Sequence, residues 1–537
     1  MGAGNMLQIN RGAKAGLSAR KNSTAQESQN FDLFGFDTPS APIKLTPPRS
    51  IAIASSPAII LPKGNKQTEE QQIIVDAPLD GTTRVIAYAG AGKTSTLIEF
   101  AKRHPGKRGL YIAFNKAIQE EGARRFPKSV KCKTSHALAY RAFGYKYSHK
   151  MAGDIRLTDV IKLLGLPYDY DFALLVKNTV LGFCTSALAT FPETAIAPDH
   201  TPRGLPSKLA YAALQADKLW RMMCDPATAA PMVHDGYLKL FQLSGQAIDC
   251  DYILFDEAQD ANPVTTALVK AQKCPVILVG DKYQSIYAFR GADNALESFS
   301  ANRTFYLTQS FRFGSQVAAV ASELLRVFYG ETRAVIGKGF DTQLGRLRTE
   351  LPYAALCRTN SEVFDRAAIA IRQQLSTAFV GGVKSYNFDK IEDAYRLSND
   401  EGYLVRDQFL KSMGNFAALE KYAEDSGDLE AKRLVKVVLA HGHAIPNLVQ
   451  AIYNNSIPDI NQAERVFSTA HKAKGLDIAR VVLAEDFRDL MDNGQPIKDK
   501  EILDPQEVNL TYVSVTRAVE HLQLNSAVST LMDYCEF

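Results

Sequence analysis

The sequence predicts an α/β protein with two parallel sheets and two mainly helical insertions. Short apolar runs rich in β-forming residues have the pattern of buried parallel strands, and helical patterns separate most of them. These runs are 110–114, 252–255, 276–279, 353–357 and 481–484. A glycine loop follows a further apolar run, Val85 to Tyr88, and leads into a helical pattern. The stretches 137–250 and 383–460 have helical patterns with few strand signals, so each interrupts the alternation that is typical of α/β layers.

Composition excludes several classes of protein. The 537 residues carry a formal net charge of +4, so any basic surface that binds nucleic acid must be local. The seven cysteines include no C-x-x-C pair, which indicates neither a zinc site nor a disulfide framework and fits a reducing compartment. Because no apolar run of about 18 residues occurs, no transmembrane helix and no membrane partner are expected. The amino terminus lacks the apolar core of a secretory signal.

Residues 1–65 are predicted to be a disordered tail, because they are rich in Ser, Pro, Asn, Ala and Gly and lack sustained periodicity. Within this tail, residues 29–36 (QNFDLFGF) form an apolar cluster that loosely resembles the ligands of bacterial sliding clamps. The cluster is therefore a candidate docking peptide for a protein partner. A plain apolar patch without a partner is the alternative, since short motifs often match by chance.

The glycine loop in 84–97 (RVIAYAGAGKTSTL) predicts a polyphosphate site. Its glycines let backbone N–H groups turn inward around phosphates, and the following helix N-terminus adds partial positive charge. Lys93 can reach the β- and γ-phosphates, and Thr94 can place its hydroxyl on Mg²⁺. The loop departs from G-x-x-x-x-G-K-[ST] at Ala87, and a chance glycine loop is the alternative. The predicted binding residues are Ala89, Gly90, Ala91, Gly92, Lys93, Thr94 and Ser95.

An acidic cluster follows the apolar run 253–255. At the carboxyl edge of a parallel sheet such acids face the ligand crevice. Asp256 can hold Mg²⁺, directly or through water, and Glu257 can orient and deprotonate the attacking water. An ordinary acidic turn after a strand is the alternative. Together with Lys93 and Thr94, however, the acids assemble one nucleotide-hydrolysing site in which Thr94 and Asp256 hold the metal.

The stretch 279–292 (VGDKYQSIYAFRGA) resembles motif III of UvrD/Rep-type superfamily 1A DNA helicases. The other motifs of that family have counterparts in the same order: 68–71 for the Q motif, 114–117 for Ia, 134–136 for Ib, 256–260 for II, 309–312 for IV, 469–477 for V and 512–518 for VI. The resemblance covers nearly everything from 66 to 520. Two further stretches, 234–240 and 380–386, look most like the F-box DNA helicase branch. The tail is too short and too poor in helical pattern for an F-box domain, so no ubiquitin-ligase role is implied.

The resemblance implies two RecA-like parallel-sheet domains with two helical insertions. The implied boundaries are a disordered tail (1–65), domain 1A (66–136 and 251–303), helical insertion 1B (137–250), domain 2A (304–382 and 461–537) and a reduced helical insertion 2B (383–460).

The resemblance also implies roles around ATP. Gln71 would read the adenine edge, because an amide carries both a donor and an acceptor. Phe311, where the family usually has Tyr, would stack on the base. Gln284 matches the γ-phosphate sensor, and Arg312 and Arg517 match the arginine fingers. For the arginines, a surface or interdomain salt bridge is the alternative. Asp477 stands where the family usually has a ribose-contacting Glu.

Contacts to DNA follow from the resemblance as well. Single strands are held by stacking on aromatic rings and by contacts to phosphates. The matching positions are Phe114, Asn115, His136, Tyr287, Phe289, Arg290, Arg358, Thr359, Asn360 and His471. Phe289 replaces the family's usual Trp, which shrinks the stacking area. For the aromatic residues, packing in the core is the alternative, whereas Trp220 is expected to be a core residue without a functional role.

The function that follows is an ATP-dependent 3′→5′ single-stranded DNA translocase and helicase in repair, recombination or replication, with ATP and Mg²⁺ as cofactors. Single-stranded DNA and single-strand/duplex junctions are the expected partners. Such an enzyme would be cytoplasmic and nucleoid-associated in a prokaryote or virus and nuclear in a eukaryote. An ATP-driven remodeller that displaces proteins such as a recombinase, with little unwinding, is the first alternative. A small-molecule P-loop kinase or NTPase is the second, and motif III with the paired arginines argues against it.

Overall fold

The computed structural model describes residues 67–167, 169–195, 209–288, 294–348 and 350–536. The predicted tail and its apolar cluster at 29–36 lie outside the described residues, as do Phe289 and Arg290 of the predicted DNA contacts.

A six-stranded parallel sheet organises the first half of the chain, in the order β3-β2-β6-β7-β1-β8. The elements of this half are α1 (Glu69–Val75), β1 (Thr82–Ala87), α2 (Lys93–Lys102), β2 (Gly109–Ala113), α3 (Lys116–Arg125), β3 (Val130–Thr134), α4 (Ser135–Ala142), β4 (Met151–Ala152), α5 (Leu157–Leu164), α6 (Tyr170–Thr185), α7 (Leu209–Cys224), β5 (Met232–Val233), α8 (His234–Leu243), β6 (Tyr252–Phe255), α9 (Pro263–Lys270), β7 (Val276–Gly280), α10 (Ala295–Ser298) and β8 (Arg303–Leu307). Every residue of β2, β6 and β7 is buried, which explains their unbroken apolar sequence.

A second six-stranded parallel sheet organises the other half, in the order β11-β18-β15-β12-β14-β13. The elements are β9 (Gln309–Ser310), α11 (Ser315–Tyr329), β10 (Ile336–Gly337), β11 (Gln343–Leu344), β12 (Tyr353–Cys357), α12 (Asn360–Arg372), β13 (Thr377–Phe379), α13 (Asp389–Ser398), α14 (Gln408–Met413), α15 (Phe416–Ser426), α16 (Leu429–His441), α17 (Ile445–Asn455), β14 (Arg465–Thr469), α18 (Ala470–Ala473), β15 (Ile478–Leu483), β16 (Met491–Asp492), β17 (Gln495–Pro496), α19 (Pro505–Val515), β18 (Ala518–Gln523) and α20 (Ser526–Tyr534). The predicted α/β class with two parallel sheets is confirmed.

We call the first sheet with α1–α4, α9 and α10 the first lobe, and the second sheet with α11, α12 and α18–α20 the second lobe. Helices α5–α8 form the first helical segment. Their apolar core includes Trp220, which packs edge-on against Phe183 with ring centroids 5.5 Å apart, as a core residue should. Helices α13–α17 form the second helical segment, which shares one apolar core with α12 and β13.

The carboxyl ends of the strands position the predicted site residues. Because all strands of each sheet are parallel, residues that directly follow β1, β2, β3, β6 and β7 lie along one edge of the first sheet. The glycine loop follows β1, Phe114 follows β2, Asp256 follows β6 and Asp281 follows β7. Within the described residues, no helix has the length and apolar character needed to cross a membrane.

Candidate functional site

The glycine loop packs directly against the second lobe. Gly90 and Gly92 adopt left-handed backbone conformations, with φ of +73° and +76°, that favour glycine. A Cβ on Gly90 would lie 2.6 Å from Ser310 Oγ and 2.8 Å from Arg312 Cβ. The Phe311 N–H donates to the Gly90 carbonyl at 2.9 Å. Glycine is therefore required at residue 90 both for its conformation and for this close approach between lobes.

Lys93 is the first residue of α2 and faces the acids at the sheet edge. Its Nζ lies 3.5 Å from Glu257 Oε1. Burial acts to lower the pKa of Lys93, but the nearby carboxylates of Glu257, Asp281 and Asp256 outweigh burial and raise it above the ordinary value. The lysine is consequently held as a cation in a buried acidic setting, where a phosphate could take over the role of the carboxylates.

Thr94 and Asp256, the two predicted metal ligands, are hydrogen-bonded to each other. The Thr94 hydroxyl donates to Asp256 Oδ2 at 3.0 Å, and the Tyr111 hydroxyl donates to the same oxygen at 2.7 Å. Burial and the neighbouring Glu257 raise the pKa of Asp256. This pairing of a hydroxyl with a carboxylate supplies oxygen ligands of the kind Mg²⁺ prefers. Mg²⁺ usually keeps several waters and is bound by one or two protein oxygens with substrate phosphates, which this pair of side chains would allow.

Glu257 occupies a left-handed conformation (φ +50°), which is unusual for a residue other than glycine and is a form of backbone strain found at functional sites. Gln259 Nε2 donates to Glu257 Oε2 at 2.6 Å. Burial acts to raise the pKa of Glu257, but Lys93, Lys474 and the Gln259 hydrogen bond outweigh it, so the pKa lies below the ordinary value. The side chain is thus held as a carboxylate.

Arg517 is a buried guanidinium whose hydrogen-bond partners are all neutral in the described structure. Nε donates to the Val513 carbonyl at 2.9 Å, Nη1 to the Leu476 carbonyl at 3.3 Å and Nη2 to Thr516 Oγ1 at 3.1 Å. Burial, together with the like charge of Arg312, lowers the pKa of Arg517. A buried charge without an ionic partner is costly, so this position favours an incoming anion.

Arg312 differs from Arg517 because it already has a carboxylate partner. Its guanidinium forms a buried ion pair with Asp477 in the same lobe, and Nη1 donates to the Thr516 carbonyl at 3.1 Å. This ion pair is neither at the surface nor between the lobes, so it differs from the salt bridge considered as the alternative role for the arginines. Asp477, predicted to contact a ribose, is the partner in this pair.

Gln71 and Phe311 lie beside Gly92. A Cβ on Gly92 would be 3.0 Å from Gln71 Nε2 and 3.8 Å from the Phe311 ring. Gln71 Oε1 accepts from the Thr68 N–H at 3.1 Å in a capping box at the start of α1, which leaves Nε2 pointing toward the loop. The two side chains predicted to hold a base are thus adjacent. Gln284, the predicted phosphate sensor, is buried and donates to Asp281 Oδ2 at 2.8 Å.

Two contacts between the lobes were not assigned by sequence reasoning. The Tyr512 hydroxyl donates to Asp281 Oδ2 at 3.1 Å and accepts from the Ala89 N–H of the glycine loop at 3.3 Å. Lys474 Nζ donates to Asp260 Oδ2 at 2.5 Å and to the Gln284 carbonyl. Tyr512 and Lys474 both lie within the stretches that resemble motifs VI and V, which was the signal available to find them.

The predicted DNA-contacting aromatics Phe114 and Tyr287 are stacked, with ring centroids 6.1 Å apart and planes inclined by 9°. Phe114 is 45% exposed, so core packing does not account for it. Both rings line a cavity of about 170 Å³ that also reaches His136, Glu257 and Asp260. The acid site and the aromatic pair therefore share one internal space.

The remaining predicted DNA residues are held by protein contacts. Arg358 forms a bidentate ion pair with Glu507. The buried Thr359 hydroxyl donates to Asp486 at 2.8 Å.

The other predicted DNA residues also contact protein groups. Asn115 is exposed and caps α3. The Asn360 N–H donates to Glu430, and the His471 carbonyl accepts from the Tyr287 hydroxyl. His136 Nε2 lies 3.0 Å from Asp235 Oδ1. Roles for these residues in binding stay predictions.

The structure has the architecture of a two-lobed P-loop NTPase. One parallel-sheet lobe carries a glycine loop and an acid pair, and the other carries a buried arginine pair.

Residues 245–302 match the family model of the UvrD/REP helicase N-terminal domain. The chain is 33% identical over 512 residues to F-box DNA helicase 1 of Gallus gallus, covering 87% of this chain and 50% of that protein. It is 29% identical over 513 residues to F-box DNA helicase protein 1 of Schizosaccharomyces pombe, covering 86% of this chain and 58% of the relative.

A probable DNA helicase II homolog of Mycoplasma pneumoniae is 35% identical over 100 residues, which are 17% of this chain and 14% of that protein. The chain belongs to the UvrD-like helicase family. It spans about half the length of the two F-box helicases that it matches.

Asp260→Asn should remove a pH-dependent part of the stability. Burial raises the pKa of Asp260 to about 6, against the opposing Lys474 ammonium. Between about pH 4 and 6 the folded protein binds a proton that the unfolded chain has released, so stability from this group falls as pH rises through that window. We expect the melting temperature of the wild type minus that of the variant to fall over this range and to level off above it. Thermal unfolding followed by circular dichroism at each pH gives these melting temperatures. The control is Asp489→Asn, which changes an exposed aspartate. An equal pH slope for both variants would contradict the assignment.

Proposed function

We propose that this chain is an ATP-dependent 3′→5′ single-stranded DNA translocase and helicase. The observation that carries the proposal is the meeting of complementary groups from both lobes. Lys93 and Glu257 of the first lobe lie across from Arg312 and Arg517 of the second, close enough that each pair influences the other's charge. Because the hydrogen-bond partners of Arg517 in the described residues are all neutral, and Lys93 is surrounded mainly by carboxylates, the space between them suits a polyphosphate. The direction of movement follows from the family resemblance.

Each residue then has a defined task in hydrolysis. N–H groups of the glycine loop and Lys93 would bind the phosphates, while Gln71 and Phe311 would hold the base. Mg²⁺, held by Thr94 and Asp256, would neutralise charge on the phosphate oxygens. Glu257 would orient water and accept its proton. Arg312 and Arg517 would stabilise the charge that builds on the transferred phosphoryl group, which for Arg312 requires release from or sharing with Asp477.

The aromatic pair is where single-stranded DNA would bind. Bases stack on exposed aromatic rings, and Phe114, which is exposed and stacked on the half-buried Tyr287, would present such a ring. Lys474 links this surface to the nucleotide site, because its Nζ bonds Asp260 and the Gln284 carbonyl and lies 5.0 Å from the Tyr287 ring centre. Movement of Lys474 with the second lobe would therefore disturb both the acid cluster and the DNA surface.

The domain boundaries and the location in the cell belong to the same proposal. The helices α5–α8 fall within the proposed insertion 1B (137–250), and α13–α17 fall within the proposed insertion 2B (383–460). The two relatives matched over most of this chain come from eukaryotes, which favours a nuclear location. A remodeller that displaces bound protein is the second candidate, because the proposed insertion 2B (383–460) is short compared with the corresponding domain usual in the family.

Lys93→Ala and Glu257→Gln should each lower DNA-stimulated ATP hydrolysis by about 10²-fold or more, because one loses phosphate binding and the other loses the proton acceptor. The measurement is the ATPase rate with single-stranded DNA, duplex DNA and RNA. Lys102→Ala is the matched control, since Lys102 lies exposed at the other end of α2 and pairs only with Glu99 among the described residues. A normal DNA-stimulated rate in either site variant would refute the assignment.

Arg517→Lys should slow hydrolysis by about 10³-fold while nucleotide affinity changes little, because lysine keeps the charge but loses the fork that contacts two oxygens. Single-turnover hydrolysis gives the rate, and binding of a fluorescent ATP analogue gives the affinity. Exposed Arg326→Lys serves as control. A loss of affinity that matches the loss of rate would instead assign Arg517 to ground-state binding.

Strand separation should require a 3′ single-stranded tail. The assay compares duplexes with a 3′ tail, with a 5′ tail and with blunt ends under the same ATP conditions. In parallel, the same preparation is tested for removing a protein filament from single-stranded DNA. Efficient removal of protein without strand separation would favour the remodeller, and strand separation from 5′ tails alone would reverse the proposed direction. ATP hydrolysis that is indifferent to DNA would favour a small-molecule NTPase.

A further inference from the structure

A strongly basic stretch crosses the edge of the first lobe. Residues 122–153 contain eight lysines and arginines and no aspartate or glutamate, whereas the whole chain has a net charge of only +4. Aromatic residues are interleaved with these cations. Basic residues mixed with aromatic ones are typical of surfaces that bind nucleic acid. Of the motifs described above, only the counterpart of motif Ib at 134–136 lies within this stretch.

The fold exposes the cations of this stretch along one route. Strand β3 is the outermost strand of its sheet and places Lys131 and Lys133 on its exposed side. Helix α4 follows β3 directly, and the exposed Arg141 and Lys146 come at its end and just after it. No ion pair to these four residues occurs within the described structure, so their charges stay available for phosphates.

Two exposed tyrosines accompany the cations. Tyr140 on α4 is 41% exposed, and Tyr145 in the following turn of 3₁₀-helix is 54% exposed. The buried Tyr237 holds this region from behind. Its ring is edge-on to that of Tyr140 with centroids 5.8 Å apart, and edge-on to that of His136 at 6.2 Å. Tyr140 is therefore a supported ring and not a loose surface side chain.

The segment that supports α4 is the one that resembled the F-box helicase branch. Tyr237 lies on α8, and its hydroxyl is 3.1 Å from His234 Nδ1. Asp235 of the same helix is hydrogen-bonded to His136. One turn of α8 thus fixes the orientation of two rings on α4, which gives this segment a positioning role.

The route continues the aromatic pair at the nucleotide site. His136 lines the same cavity as Phe114 and Tyr287, and Tyr140 lies one helical turn after His136 on α4. A strand that leaves the Phe114–Tyr287 stack past His136 would meet Tyr140 next and Tyr145 after it. We propose that Tyr140 and Tyr145, with Lys133, Arg141 and Lys146, form an extension of the single-stranded DNA path.

The chemistry of this extension selects single strands. Exposed ring faces are useful for unstacked bases, whereas the bases of a duplex are already stacked on each other. The cations contact phosphates in either case. This inference rests on the proposed function, because it lengthens the path of the same DNA strand.

The test is the affinity of the wild type and variants for oligothymidylates of about 6 and about 16 nucleotides, lengths that span the common range of single-strand sites. Tyr140→Ala and Tyr145→Ala should each weaken binding of the longer strand by about tenfold and leave the shorter strand nearly unaffected. Tyr140→Phe should retain wild-type affinity, because stacking survives. Phe114→Ala should weaken the binding of both the shorter and the longer strand. The matched control is Tyr403→Ala, which removes a tyrosine that is 82% exposed and lies in the second helical segment, between α13 and α14.

The charge contribution is measured separately by salt dependence. The double variant Arg141→Ala, Lys146→Ala should make the negative slope of log affinity against log salt shallower by about 1.4 for the longer strand, since each phosphate contact on a single strand contributes about 0.7 to its magnitude. Exposed Lys421→Ala should leave the slope unchanged. An unchanged slope in the double variant would remove these cations from the path.

The outcomes separate this inference from the proposed function. Wild-type binding of the longer strand by both tyrosine variants would overturn the extension alone. A loss confined to duplex binding would also overturn it, by assigning the surface to duplex DNA. A wild-type protein that binds neither oligothymidylate would overturn the proposed function and the extension together. Melting temperatures equal to the wild type show that a loss reflects contact and not unfolding.

Discussion

The contact between Lys474 and Asp260 is the constraint on which the arrangement of the site depends. It joins the second lobe to the acid cluster of the first through a buried ion pair, next to the Tyr512–Asp281 hydrogen bond. A buried pair of this kind gains little net stability over an apolar contact, but breaking it inside the protein is costly. If the lobes move apart at this point, water can solvate both the Lys474 ammonium and the Asp260 carboxylate. These polar contacts between the lobes can therefore break, whereas the apolar cluster that includes Tyr88, Tyr283 and second-lobe residues keeps the lobes attached elsewhere.

Charge is distributed unequally between the two lobes at the site. Asp256, Glu257 and Asp281 crowd around Lys93 on one side, while Arg312 and Arg517 lie together on the other, where Asp477 partly offsets their charge. Each side alone carries an excess of one sign of charge in a buried place. The shifted pKa values reflect it: the pKa of Asp256 is raised and the pKa of Arg517 is lowered. A polyphosphate with a metal ion offers charge of both signs at short spacing, so it can satisfy both sides at once.

The sequence predicted the parts of the site that depend on local pattern. Apolar runs such as 253–255 and 276–279 became buried parallel strands, and the acids and glycines after them lie at the sheet edge because strand direction dictates it. It did not predict contacts made by residues distant in the chain. Arg358 pairs with Glu507 and Arg312 pairs with Asp477, and no local pattern indicates either partner. The basic stretch 122–153 is visible as a charge count, but its exposure depends on β3 being an edge strand, which only the sheet order reveals.

Linkage between the proposed nucleotide site and the proposed DNA surface needs an element that both sites bias, and contiguity alone does not supply one. The segment 281–287 contacts both proposed sites and both lobes. Its first residue, Asp281, is bonded to Tyr512 of the second lobe, and its last, Tyr287, is stacked on Phe114 and bonded to the His471 carbonyl of the second lobe. Gln284 lies between them and is bonded through its carbonyl to Lys474. Since three of these contacts reach the second lobe, a change in the angle between lobes cannot leave the Tyr287 ring in place unless the segment itself deforms. The aromatic stack is thus connected to the second lobe through a stretch of only seven residues.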